Sequence, residues 1–231
     1  MNGLSLCSGI GGIDLGLKLA IPEYRTVCYV EKETFCQDIL LARMADGVLD
    51  RAPIWDDLKC FDGGAWRGLI DVVHGGYPCQ PFSSAAHGRH TARTLWPKFR
   101  QIITGVRPMY VFLENVNERA FIGVREDLAA LGFRTTLPLD YTAAELGAPH
   151  IRRRYFLLGY SNCDSKSVYA INAETSWVPG AHGNPWETIP DAIRVPDGLP
   201  NRMDRLKALG NAVVPDVAAF AWRTLYGALV G

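Results

Sequence analysis

The stretch "GLSLCSGIGGIDLGLKLA", Gly3 to Ala20, decides the fold. Residues 3–8 form a short apolar run of the kind a buried strand needs, and residues 11–20 carry the apolar spacing of a helix. Between them, Gly9-Ile10-Gly11-Gly12 marks a tight turn. Glycines let backbone N–H groups approach a ligand, and a helix N-terminus favours negative charge. The turn is not the full G-x-G-x-x-G fingerprint, so alone it suits a nucleotide-type cofactor or a plain turn. The next strand, "RTVCYVE" (25–31), ends in Glu31, roughly the ~20 residues on at which an acid can accept from ribose hydroxyls. Together the two features favour a cofactor.

Working outward, the same alternation continues. "TFCQDILLARMA" (34–45) reads as a helix, "LIDVVHGG" (69–76) as a strand and "LWPKFRQIITGV" (95–106) as a helix. "PMYVFLENV" (108–116) is a strand, "DLAALG" (127–132) the tail of a helix closed by glycine, and "RRYFLLGY" (153–160) a late strand. Such alternation predicts an α/β fold with a doubly wound, mostly parallel sheet and helices on both faces. Ligands of these sheets bind beyond the carboxyl ends of the strands. Residues 161–200 lose all periodicity and carry prolines at 179, 185, 190, 196 and 200, which suggests a small irregular subdomain. Helical patterning returns over 201–231, so the expected organisation is 1–160, 161–200 and 201–231.

Composition narrows the class. The 231 residues are 48% hydrophobic, enough for one large α/β domain, and the 24 basic and 24 acidic residues cancel. Any basic surface must therefore be local. No signal peptide and no membrane span are expected, which places the chain in the cytoplasm. Six cysteines without a Cys-x-x-Cys pair argue for reduced thiols and against structural zinc.

The chemistry-bearing residues fall at predicted strand ends. Cys79 in "GGYPCQPFSS" (75–84) directly follows a strand, between two prolines; it reads as a nucleophile or as an inert buried thiol. Glu114 in "FLENV" (112–116) ends another strand, where a carboxylate in an apolar run must be paired or employed. Arg152 and Arg154 in "PHIRRRYFLLG" (149–159) are two apart at a strand start, so alternation sends both to one face. Asp56 and Asp57 after "APIW" suit an adenine amino group or a helix cap. The loop 80–94, "QPFSSAAHGRHTART", reads as a mobile lid or as disordered surface.

In this order the motifs resemble the DNA (cytosine-5) methyltransferases of bacteria and phages. "LCSGIGGIDLGL" (6–17) is similar to the first cofactor motif, "DDL" (56–58) to the adenine motif and "GGYPCQPFS" to the catalytic Pro-Cys loop. "ENV" (114–116) is similar to the glutamate motif, "RRR" (152–154) to the basic motif and "ALGNAVVP" (208–215) to the C-terminal motif that closes the cofactor pocket. The chain departs from the usual pattern at Cys7 (often Phe), Lys32 (often Trp) and His150 (often Gln), and its variable region is short.

The resemblance implies S-adenosylmethionine as cofactor, with S-adenosylhomocysteine as product, held by Cys7, Gly9, Ile10, Gly11, Gly12, Glu31, Asp57, Leu58, Pro78, Leu95, Asn211 and Val213. It implies a catalytic set of Cys79, attacking C6 of a flipped cytosine, Glu114 at N3, Arg154 at O2, and Arg152 orienting the glutamate or holding a phosphate. The resemblance implies double-stranded DNA as the partner of a monomer, contacted by Gln80, Ser83, Arg89 and Arg93 and, in the target-recognition region 161–200, by Trp177, His182, Asn184 and Trp186. A cognate restriction endonuclease or an accessory chain fits the same picture. Competing readings are a transfer-RNA cytosine-5 methyltransferase, disfavoured by Tyr77 and Ser83, a non-catalytic DNA-binding relative, and a thiol redox protein lacking a resolving cysteine.

Overall fold

The computed structural model describes residues 1–78, 95–161 and 202–230. The first strand, β1 (Asn2–Leu6), ends where Cys7 adopts a left-handed φ of 51°, and the turn that follows needs positive φ again at Gly9 (55°) and Gly11 (81°). Helix α1 (Gly12–Ala20) starts directly from that turn with Asp14 in its first turn. Then come β2 (Arg25–Val30), α2 (Thr34–Ala45), the two-residue β3 (Ile54–Trp55), β4 (Val72–Gly76), α3 (Trp96–Val106) and β5 (Tyr110–Asn115). The chain continues through α4 (Val124–Ala130), β6 (Phe133–Thr135), β7 (Leu139–Thr142), β8 (Arg153–Ser161), α5 (Arg202–Asn211) and α6 (Pro215–Val230).

The sheet runs β3-β2-β1-β4-β5-β8-β6, with β7 also on β8. Strands β1 to β5 are parallel; β8 inserts antiparallel beside β5, and β6 and β7 share its far edge. The expected mostly parallel sheet is found, with this antiparallel flank and the short strands β3, β6 and β7 added. The predicted strand 69–76 begins later, at Val72, because a turn ends at Leu69 and the chain bends at Asp71.

From β1 the chain winds to β2 and β3 on one side and then to β4 and β5 on the other. The order reverses between β1 and β4, the place where α/β sheets open a crevice at their carboxyl ends.

Period-two alternation builds the two cores. On β5, Val111 and Leu113 face α3 and α4, joining Phe99, Ile102, Val124 and Leu128. Tyr110 and Phe112 face α1 and α6, joining Leu17, Val217, Ala218 and Trp222. Trp222 is fully buried and meets Tyr110 and Phe112 edge-on at 5.6 and 5.3 Å. Helices thus cover both faces.

Two glycines one turn apart bring the C-terminal segment against α1. A Cβ on Gly12 would lie 2.2 Å from the Val213 carbonyl oxygen, and one on Gly16 would lie 2.5 Å from Ala218 Cβ. Beneath α1 a buried polar network joins helix to sheet. Asp14 accepts from Ser5 Oγ (3.1 Å) and Thr26 Oγ1 (2.8 Å), and Tyr24 Oη lies 2.7 Å from His74 Nε2. Burial pushes the His74 pKa down against the opposing charge of Asp14.

Candidate active site

The cofactor half of the candidate site is the turn after β1. Glu31, just past β2, accepts from the Gly9 N–H through Oε2 (2.7 Å) and from the Glu33 N–H through Oε1 (2.9 Å). The acid that the sequence assigns to ribose therefore also fixes the shape of the glycine turn. A carboxylate has about four lone-pair sites, so these two bonds leave capacity for hydroxyl donors. The direction a Gly9 side chain would take is open, with nothing within 4 Å.

Arg43 of α2 donates to the Ile10 carbonyl (2.8 Å), and Ile10 packs with Cys36 and Ala208. Cys7 is packed at the turn, and burial, reinforced by Glu31, pushes its thiol up to about 12. It is a neutral apolar wall, and Cys28 and Cys36, raised to about 11 mainly by burial, are equally unreactive.

Asp57 caps the 3-10 turn Leu58–Cys60, accepting from the Lys59 N–H at 2.8 Å, while Leu58 is buried beneath it. Both sit beyond β3, adjacent to β2 in the sheet. Leu95 is the N-cap of α3 and packs on the core. Asn211 is exposed at the end of α5, and Val213 is buried with its carbonyl against Gly12. Pro78 is exposed just past β4. Of the remaining candidates, Cys79, Gln80, Ser83, Arg89, Arg93, Trp177, His182, Asn184 and Trp186 lie outside the described residues.

The reaction half is built at the ends of β4, β5 and β8. Alternation puts Glu114 on the face of Phe112 and Arg154 on the face of Phe156, and Glu114 is registered opposite Phe156. The two side chains therefore meet diagonally across adjacent strands. Arg154 Nε lies 2.9 Å from Glu114 Oε1, both groups nearly buried, in an ion pair without the alignment of a full hydrogen bond. Burial nevertheless dominates the carboxyl: its pKa rises from the ordinary 4.5 to about 7 against the pull of Arg154 and Arg152. Near neutrality Glu114 can both hold and release a proton, the property a general acid needs.

Arg152 and Arg154 do share a face, and Arg153 between them points outward to Asp140. Arg152 does not reach Glu114 directly. Its guanidinium donates to the Gly210 carbonyl (2.6 Å) and the Ala212 carbonyl (2.9 Å from Nε). Arg154 Nη2 donates to the same Gly210 carbonyl at 3.3 Å.

Three residues here lie inside the quoted motifs but are given no site role by the sequence reading. Gly76 is registered beside Glu114, and a Cβ on it would lie 2.4 Å from Glu114 Oε2. Asn115 turns to the other face and donates to the Tyr77 carbonyl (2.9 Å), while Tyr77 Oη donates to the Ala120 carbonyl (2.6 Å). These bonds anchor the backbone that leads into Pro78. The doubled glycine before "YPC" was the visible signal, but its meaning depends on a strand register that no local pattern reports.

Comparison with known proteins agrees with this architecture. Residues 1–189 match the family described as C-5 cytosine-specific DNA methylase. The type II methyltransferase M.NgoMIV of Neisseria gonorrhoeae is 31% identical over 169 residues, 69% of this chain and 51% of that protein. M.NlaX of Neisseria lactamica is 27% identical over 185 residues, 70% of this chain and 52% of that protein. The chain thus spans about half the length of these curated relatives. Among solved structures, Spodoptera frugiperda DNMT2 superimposes with a TM-score of 0.57 at 19% identity, over 71% of this chain and 51% of its own. A prophage-encoded DNA modification methyltransferase (E. coli) gives 0.56 at 24% identity, over 70% of this chain and 47% of its own. With a family match over most of its length and that family's fold, the chain belongs to the C-5 cytosine-specific DNA methylases.

Proposed function

We propose that this chain transfers a methyl group to C5 of cytosine in double-stranded DNA, with S-adenosylmethionine as donor and Cys79 as nucleophile. The observation that carries the reading is the buried Glu114–Arg154 pair at the sheet edge, registered beside Gly76, which precedes Cys79 by three residues in the sequence. The residues around the glycine turn suit the cofactor: a carboxylate at the end of β2, positive-φ glycines and open space above Gly9. When bound there, S-adenosylmethionine supplies an electrophilic methyl group on a sulfonium.

C5 of cytosine is a weak nucleophile. Attack of the Cys79 thiolate on C6 forms an S–C6 bond and moves the ring electrons toward N3 and O2. Glu114, held near pKa 7, donates its proton to N3 and holds the exocyclic amine, while Arg154 balances charge at O2. C5 becomes an enamine carbon able to accept the methyl group, for which S-adenosylhomocysteine would be the leaving group. Loss of the C5 proton to water restores the C5–C6 double bond, the S–C6 bond breaks with its electrons returning to the Cys79 thiolate, N3 gives its proton back to Glu114, and 5-methylcytosine is released. The target base must leave the duplex, at a cost of a few kcal/mol.

The same reading gives 161–200 the role of target recognition and gives Gln80, Ser83, Arg89 and Arg93 phosphate or base contacts. It also covers a cytoplasmic, nucleoid-associated monomer with a partner endonuclease or accessory chain. No described helix is long and apolar enough to cross a membrane.

The test is transfer of labelled methyl from S-adenosylmethionine to duplex DNA, with Cys79→Ala as control and transfer RNA as the competing substrate. Bisulfite sequencing then locates the product. Labelling of duplex DNA that vanishes in Cys79→Ala is expected. Labelling of transfer RNA alone, or equal labelling by the variant, refutes the assignment.

A further inference from the structure

We infer that Arg152 is a positioning residue that couples the cofactor-side loop Gly210–Val213 to the acid Glu114, acting through the Gly210 carbonyl that it shares with Arg154. The inference rests on the proposed function and deepens it.

A continuous chain of contacts supports it. The glycine turn packs on the Val213 backbone, since Gly12 leaves no room for a Cβ beside the Val213 carbonyl. One residue earlier, the Ala212 carbonyl accepts from Arg152, and two residues before that the Gly210 carbonyl accepts from both Arg152 and Arg154. Arg154 in turn stands 2.9 Å from Glu114.

The carbonyls of Gly210 and Ala212 lie at and just beyond the end of α5, where a helix has no backbone donors left and a cation is favoured. The guanidinium meets the two carbonyls from Nε and Nη2, donors held apart in one rigid plane, whereas an ammonium carries its three donors on a single point at the end of a flexible stem and does not reproduce that spread. Arg152 is thus already committed to backbone, which argues against a phosphate role and for a structural coupling between the two halves of the site.

Charge and shape make separable contributions. Among the described residues the charged groups acting on Glu114 are Arg154 and Arg152, and β4 presents the uncharged Gly76 beside it. Arg152→Gln removes both the fork and the charge; Arg152→Lys removes the fork and keeps the charge.

The experiment measures S-adenosylmethionine affinity by direct calorimetric titration of the whole chain, together with the pH profile of methylation. Both variants are expected to bind the cofactor about tenfold more weakly or worse, a coupling of ordinary size. The alkaline limb of the profile should move to higher pH in Arg152→Gln, because a nearby positive charge is lost, and stay in place in Arg152→Lys. Wild-type affinity in Arg152→Lys, or a limb that moves equally in both variants, overturns the inference. Failure of the underlying reading looks different: Glu114→Gln would then methylate like wild type, whatever the Arg152 variants do.

Discussion

Replacing Glu114 by glutamine is expected to make the protein more stable while disabling it. The carboxyl is raised from 4.5 to about 7, and the leading cause is burial, which outweighs attraction to Arg154 at 2.9 Å. At 1.36 kcal/mol per tenfold change in proton affinity, the ionised carboxylate costs the fold about 3 kcal/mol relative to a neutral isostere. The sign follows from the raised value. Stability from the protonated group is fully present below the unfolded pKa of 4.5 and is lost as pH rises through about 7. Urea unfolding of both proteins from pH 5 to 8 measures this. The advantage of Glu114→Gln should grow from under about 1 kcal/mol at pH 5 to about 3 kcal/mol at pH 8. Methyl transfer should fall by orders of magnitude over the same range. A variant less stable than wild type at pH 8 would mean that the ion pair outweighs burial. A difference independent of pH would mean that Glu114 does not titrate in this window. Either result refutes the reasoning.

Other perturbations test the supports of the site. Gly76→Ala places a Cβ 2.4 Å from Glu114 Oε2, so the carboxylate must move; kcat should fall at least about tenfold with cofactor affinity intact, as steady-state kinetics would show. Asp14→Ala strips the buried hydroxyls of Ser5 and Thr26 of their acceptor and should cost about 2–4 kcal/mol in urea unfolding. Trp222→Ala empties the fully buried centre of the α6 core and should cost about 3–5 kcal/mol by the same measurement.

Much of the site could be read locally because its residues sit at the ends of elements whose periods are visible. The β-alternation of "RRRYFLLGY" correctly sends Arg152 and Arg154 one way and Arg153 the other. The glycine turn and Glu31 were legible from their spacing along one βαβ unit. Strands β6 and β7 were not, because three or four residues carry too little pattern and owe their existence to the edge of β8. The role of Arg152 was also hidden: its partners are 58 and 60 residues away, and they are backbone carbonyls, which no side-chain motif records.

The sequence by itself determined the strand-turn-helix opening, the kinds of chemical group present and the strand ends from which they project, since each follows from the conformational preferences of neighbouring residues. Tertiary structure alone decided the antiparallel flank, the contact of Glu114 with Arg154 and Gly76, and the burial that lifts that carboxyl toward neutrality. Proton affinity depends on how much water the surrounding fold removes and which charges it brings near, and both are properties of residues far apart in the chain.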